Sequence, residues 1–211
     1  MKIGKYEIKI NEIDKESFEE TQKRLNNLTK PVGSLGRLEE IAKHIVAISG
    51  KKNPELKNKI IVTMAGDHGV TEEGVSAYPK EVTPQMVYNF LNGGAGINVL
   101  ARHVGAKVLV VDMGVASDLK SSPNLLVKKI NYGTKNFAKG PAMTKEEAIR
   151  SIETGIEVVL NENNIDIVGT GDMGIGNTTP SSAITAVFTK QKLEIVTGRG
   201  TGIDDKTLIK K

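Results

Sequence analysis

Apolar residues recur at helical spacing through the first fifty positions. Phe18, Leu25 and Leu28 predict a helix over residues 15–28, with Asp14 as its N-cap. A second helix is predicted from Arg37 to Ser49, closed by Gly50. Its expected core face consists of Leu38, Ile41, Ile45 and Ile48. The intervening residues 30–36 contain Pro31, Gly33 and Gly36 and are predicted to form a loop.

Short apolar runs then alternate with helical patterns. Strands are predicted at 60–65, 107–112, 165–168 and 193–197. The helices between them are predicted to start at Thr83-Pro84 and to cover 95–104, 144–161 and 181–189. This alternation predicts an α/β fold with a mainly parallel, Rossmann-like sheet and flanking helices. Residues 1–36 are assigned to a helical segment of a smaller domain, and residues 37–211 to the α/β core.

The third predicted strand leads into a glycine-rich run, Gly169–Thr179, with four glycines in eight residues. Such a turn before a helix suits a phosphate, because free N–H groups and the helix dipole favour an anion. Gly169, Gly171 and Gly174 also match the dinucleotide pattern, but Glu194 begins the next strand instead of ending it. A mononucleotide or sugar-phosphate site is therefore favoured over NAD, and a purely structural turn is the alternative. No Gly-Lys-Ser/Thr P-loop is present, which argues against an NTPase.

Three further loops carry polar candidates. Arg199 could neutralise a phosphate or carboxylate, or could pair with Asp204 or Asp205 to hold its own loop. Asp67-His68 could belong to a metal site, but loop-fixing hydrogen bonds are the favoured interpretation and no metal is predicted. The loop after the first strand offers neutral hydrogen bonds and a flat face that suit an aromatic heterocycle, from Ser76, Tyr78 and Gln85. Tyr78 alone could equally be a half-buried loop anchor.

Composition removes several classes of function. The 211 residues include no Cys and no Trp, which excludes disulfide scaffolds and thiolate chemistry. The net charge of +4 comes from charged residues that are interspersed along the chain. The chain contains no block of basic residues interleaved with aromatic residues, so nucleic-acid binding is not expected. The N-terminus has no apolar signal core, and no run is long enough to span a membrane. A cytoplasmic protein is expected.

Six motifs occur in the order found in the nicotinate-nucleotide–dimethylbenzimidazole phosphoribosyltransferase family, which the chain strongly resembles over nearly its whole length. They are Leu28-Thr29-Lys30-Pro31-x-Gly33-Ser34-Leu35-Gly36, Ala65-Gly66-Asp67-His68-Gly69-Val70, Glu73-Gly74-Val75-Ser76-Ala77-Tyr78-Pro79, Gly93-Gly94-Ala95-x-Ile97-Asn98-Val99-Leu100-Ala101-Arg102, Met173-Gly174-Ile175-Gly176-Asn177-Thr178-Thr179 and Gly198-Arg199-Gly200-Thr201-Gly202.

The resemblance implies a transferase of cobalamin lower-ligand synthesis that uses no cofactor. A benzimidazole nitrogen would attack C1 of the ribose of nicotinate mononucleotide, and nicotinate would leave through an oxocarbenium-like transition state. Ser76, Tyr78 and Gln85 would line the benzimidazole pocket. The phosphoribosyl group would be held by a second set, namely Asp172, Gly174, Gly176, Asn177, Thr178, Gly200, Thr201 and Lys211.

Two departures from the family pattern matter. Asp172 stands where the family usually has Glu, so its contact to the sugar is expected to run through water. The family's general base, a Glu in a Gly-Glu-Gly-Thr motif, has no counterpart here, so no catalytic residue is assigned. The resemblance thus predicts the N-terminal part of the enzyme, an incomplete core, and a homodimer or a C-terminal partner chain covering exposed apolar surface. A non-catalytic binding module or an inactive fragment is the alternative.

Overall fold

The computed structural model describes all residues from Met1 to Lys211. Contacts divide the chain into two compact units, one formed mainly by Glu7–Lys57 and the other mainly by Asn58–Lys211. The division between the units falls after Lys57, so the second predicted helix belongs to the first unit. The domain boundary that the sequence places after Gly36 stays a prediction. No helix of the chain combines the length and apolarity needed to cross a membrane.

The N-terminal segment contains two short strands, β1 (Lys2–Ile3) and β2 (Tyr6–Glu7), that form a two-stranded sheet. Helices α1 (Lys15–Asn26) and α2 (Arg37–Ser49) pack against each other in the first unit. The Asp14 carboxylate accepts the N–H groups of Glu16 and Ser17 at 3.0 and 3.1 Å, as an N-cap does. Gly50, with φ of 64°, ends α2, so both predicted helices are confirmed.

The predicted core face of α2 is wrong. Leu38 and Ile48 are 64% and 72% exposed, and Ile41 is also exposed. The buried residues are Glu39, Val46 and Ala47. Glu39 faces inward because its carboxylate accepts the Lys30 ammonium at 2.8 Å and the Leu35 N–H at 3.1 Å. The hydrogen bond from Lys30 lowers the pKa of Glu39 and keeps it charged.

The second unit is built on a four-stranded parallel sheet in the order β5-β4-β3-β6. Its strands are β3 (Lys59–Gly66), β4 (Ala106–Gly114), β5 (Leu125–Val127) and β6 (Ile167–Met173). The predicted fold class, a parallel α/β sheet with flanking helices, is confirmed. β5 was not predicted, since its three residues are too few to show a pattern.

Helices cover both faces of this sheet. The helices of the second unit are α3 (Val82–Leu91), α4 (Gly96–Val104), α5 (Lys145–Asn161), α6 (Thr178–Thr189), α7 (Leu193–Val196) and α8 (Asp205–Lys210), with a 3₁₀ turn at Gly69–Glu73. Val158 of α5 packs on Val62 and Leu109, whereas Val87 of α3 packs with Val110 on the opposite face. The core therefore consists of two apolar layers that hold the strand ends in place.

Three local predictions are wrong. Residues 193–196 form the short helix α7 instead of a strand, because their backbone bonds are local and Ser182 Oγ donates to the Val196 carbonyl at 2.9 Å. Gly169 and Gly171 belong to β6, so the glycine-rich loop begins only after Met173. Thr83 is not an N-cap but lies within α3, whose N-cap is Glu81.

Candidate active site

The carboxyl edge of the parallel sheet is where several motifs of this sequence meet. β3, β4 and β6 end at Gly66, Gly114 and Met173 on the same edge. The central strand β3 pairs with β4 on one side and with β6 on the other, so the loops that follow these three strands surround one crevice. Ligands of open α/β sheets bind in such crevices, so this edge is the candidate site.

The turn from β6 into α6 is fixed by close backbone approach. A Cβ at Gly174 would collide with the Gly66 carbonyl oxygen, so no other residue fits there. Gly176 has φ of +83°, which favours glycine. The Asn177 carboxamide donates a hydrogen bond to the Asp172 carboxylate across this turn. Asp172 and Asn177 are thus brought together at the mouth of the turn.

Lys211 lies beside the start of α6. Its Nζ donates to Thr178 Oγ1 at 2.6 Å and to the Gly198 carbonyl oxygen at 3.0 Å. A Cβ at Gly200 would lie 2.6 Å from Thr178 Oγ1, so the 198–202 loop packs closely on the start of α6. Burial lowers the pKa of the Lys211 ammonium. An ammonium and a hydroxyl beside a helix N-terminus form an arrangement that suits an anion.

Thr201 lies in the same loop but contacts the other predicted group. Its hydroxyl accepts the Ala77 N–H at 2.9 Å and lies 3.2 Å from Ser76 Oγ. Ser76 Oγ also accepts the Tyr78 N–H at 3.3 Å. Tyr78 is 56% exposed, and Gln85 is exposed on α3. The structure therefore joins Ser76 of the expected benzimidazole set to Thr201 of the expected phosphoribosyl set.

Arg199 holds its own loop together. Its guanidinium pairs with the Asp205 carboxylate and donates to the Ile203 carbonyl oxygen at 2.9 Å. This is the pairing that the loop-holding alternative predicts. Arg199 is consequently engaged within residues 199–205.

Asp67 and His68 have different surroundings at the end of β3. Asp67 Oδ2 accepts the Ala116 N–H at 2.7 Å, and the Asp67 carbonyl oxygen accepts the Thr134 N–H at 3.0 Å. These bonds connect the loop after β3 to the loops after β4 and β5, as the loop-fixing interpretation predicts for Asp67. Burial lowers the pKa of His68, against the opposing effect of the Asp67 and Asp172 charges. His68 is therefore neutral near pH 7.

A cavity of about 290 Å³ opens at the same edge of the sheet. Asp172 and Asn177 line it together with Asp67, His68 and the α5 residue Glu147. The cavity lining does not include Ser76, Tyr78, Gln85, Thr178 or Lys211. Glu147 was not predicted as a lining residue, because its place in the capping box already accounted for a glutamate at that position.

The phosphoribosyltransferase family DBI_PRT matches residues 10–211 of the chain. The chain belongs to this family. The family membership expected from the six motifs is confirmed.

Individual relatives agree with the family assignment. The chain is 59% identical over 205 residues to the nicotinate-nucleotide–dimethylbenzimidazole phosphoribosyltransferase of Geobacter sulfurreducens, an alignment covering 96% of this chain and 58% of the relative. The enzyme of the same name from Geotalea uraniireducens is 56% identical with the same coverage. A crystal structure of CobT from Thermus thermophilus superposes with a TM-score of 0.87 at 45% identity, over 92% of this chain and 59% of that one. The chain thus spans less than two thirds of the length of these proteins.

Proposed function

We propose that the protein acts in phosphoribosyl transfer from nicotinate mononucleotide to 5,6-dimethylbenzimidazole, giving α-ribazole 5′-phosphate and nicotinate for cobalamin nucleotide-loop assembly. The observation that supports this most directly is the Lys211–Thr178–Gly200 cluster at the start of α6, whose chemistry suits a phosphate. The names of the relatives support the reaction, and the parallel-sheet edge is the usual place for such a ligand.

In this proposal each residue group has one task. Lys211, Thr178 and the Gly200 backbone bind the 5′-phosphate, and the Gly174–Asn177 turn with Asp172 binds the ribose. Asp172 orients Asn177 directly, as the hydrogen bond between their side chains suggests. The azole binds beside Ser76, Tyr78 and Gln85, with Thr201 bridging the two groups.

The reaction needs two partners held in line. The azole nitrogen forms a bond to ribose C1 as the C1–nitrogen bond to nicotinate breaks, and nicotinate leaves with the bonding electron pair. The azole N–H proton must pass to a base. None of the described residues is proposed as that base, so the tasks assigned to this chain are binding and orientation.

The proposal is tested by titration calorimetry with nicotinate mononucleotide. The wild-type chain is expected to bind it, and Lys211→Met is expected to weaken binding about tenfold or more, since a charge-assisted phosphate contact is removed. Lys206→Met, on the exposed side of α8, is the matched control and should bind as the wild type does. Absence of nicotinate mononucleotide binding by the wild type would refute the proposal.

A non-catalytic binding module is the second candidate. It is favoured by the contacts at the start of α6 and between Ser76 and Thr201, which belong to binding loops, while none of the described residues is assigned as a base. Turnover assays with both substrates discriminate the two candidates: ribazole phosphate formation supports the transferase, and tight binding without product supports the module. A cytoplasmic location and a homodimer, or completion by a C-terminal partner chain, belong to the same proposal.

A further inference from the structure

Thr83 connects the α3 helix to the glycine turn after β6. Its side chain is completely buried, and its Oγ1 accepts the Ile175 N–H at 3.0 Å. The two residues are 92 positions apart in the sequence. A polar group buried this deeply is usually retained because it satisfies a partner that has no access to water. Here the partner is a backbone amide of the proposed ribose-binding turn.

The location of that amide makes the bond important. Ile175 stands between Gly174 and Gly176, the residue type with the greatest backbone freedom. Within the turn, the Asn177 N–H donates to the Gly174 carbonyl oxygen at 3.0 Å, a bond local to the turn. The Thr83 hydroxyl is a long-range anchor on the backbone between these two glycines, and it fixes where the turn lies relative to α3.

The same helix carries a residue of the expected azole site. Gln85 follows Thr83 by two positions, so α3 presents Gln85 outward while Thr83 faces the turn from a buried position. A shift of the turn relative to α3 would therefore change the distance between the two substrate sites. Transfer reactions are sensitive to such shifts, because misplacing a reacting group by about 1 Å can cost a hundredfold in rate.

We infer that Thr83 is a positioning residue, which holds the Gly174–Asn177 turn in the geometry that binds the mononucleotide. This inference rests on the proposed function of that turn. A merely structural role would lower stability alone, whereas a positioning role changes the affinity of one substrate and leaves the other unchanged.

The test compares variants by calorimetry with nicotinate mononucleotide and with dimethylbenzimidazole. Thr83→Val removes the hydroxyl with little change in shape and is expected to weaken mononucleotide binding about fivefold or more, the equivalent of one lost hydrogen bond. Thr83→Ser restores the hydroxyl and should restore the affinity. Dimethylbenzimidazole affinity should stay within about twofold in all variants.

Thr63→Val provides the matched control. Thr63 is also a buried threonine, but it lies in the middle of β3 and belongs to neither proposed substrate-binding group. This control should bind the mononucleotide as the wild type does. As a second readout, amide hydrogen exchange at residues 174–177 should accelerate in Thr83→Val and remain unchanged in Thr63→Val.

The outcomes separate the two claims. If the wild type binds no nicotinate mononucleotide, the proposed function fails, and the inference fails with it. If the wild type binds and Thr83→Val binds equally well, or if it loses affinity for both ligands alike, the inference alone is overturned.

Discussion

Asp112 and Lys129 form an ion pair in the interior of the second unit. The Asp112 side chain is fully buried at the end of β4, and Lys129 Nζ lies 2.8 Å from its Oδ2. Asp112 Oδ1 accepts the N–H groups of Gly114 and Val115 at 3.1 and 2.8 Å. The Asp112 side chain thereby fixes the backbone just before Ala116. The Ala116 N–H in turn donates a hydrogen bond to the Asp67 carboxylate. A buried charge of this kind cannot lose its partner without leaving the other charge desolvated.

Lys129→Met is therefore expected to reduce the free energy of unfolding by about 3 kcal/mol or more, because Asp112 would remain buried and unpaired. Urea denaturation measures this loss. Lys107→Met is the control, since Lys107 pairs with Glu162 at a half-exposed position and should change stability by less than about 1 kcal/mol. Equal effects of the two variants would contradict the interpretation.

Single residues were predicted best where one backbone requirement explains the residue type. The glycine-rich motif indicated that the backbone needs a glycine at position 174. The structure shows the reason, because a Cβ at this position would collide with the Gly66 carbonyl oxygen. The contact of Ser76 with Thr201 joins residues 125 positions apart, and no local pattern reports such a distance. Thr83 was misassigned as an N-cap because Thr-Pro is typical of helix starts, while its actual partner, Ile175, lies 92 positions away in the sequence.

At the scale of elements, helices with explicit end signals were predicted most accurately. α5 begins where its capping box predicts, with the Thr144 N–H donating to Glu147 Oε2 at 2.8 Å and the Glu147 N–H donating to Thr144 Oγ1 at 3.1 Å. The apolar run at 193–196 carries no such signal. The apolar pattern of these four residues is compatible with a strand or with one helical turn. In the structure they form the helical turn α7, which packs against α6.

Thr144→Ala is expected to lower the free energy of unfolding by about 1 kcal/mol, because the Glu147 N–H loses its cap. The midpoint of urea denaturation reports this change. Thr189→Ala removes a hydroxyl that bonds the Thr185 carbonyl oxygen within α6 at an exposed site, and should change stability by less than about 0.5 kcal/mol. A Thr144→Ala midpoint equal to that of the wild type would show that the cap does not stabilise α5.

At the scale of the whole molecule, the helices that follow β6 in the chain carry several exposed apolar residues. On α6, Val187 and Phe188 are 75% and 83% exposed, and Ile184 is also exposed. The neighbouring helices add Leu193, Ile195 and Ile209 to the exposed apolar residues. Exposed apolar surface was predicted from the resemblance, but the residues that carry it could not be predicted, because their exposure depends on how the helices pack. Several large exposed apolar residues on one group of helices are typical of a site of association.

If a second copy of the chain covers α6, the wild type should self-associate, and Phe188→Asp should weaken that association about tenfold or more. The physical reason is that a carboxylate would replace the most exposed aromatic side chain of the patch and would be desolvated in any contact. Sedimentation velocity over a range of protein concentrations measures the monomer–dimer equilibrium. Leu160→Asp, at an exposed position of α5 outside this patch, is the control and should associate as the wild type does. A wild-type chain that remains monomeric at every concentration would exclude the homodimer and leave a different polypeptide as the occupant of the α6 surface.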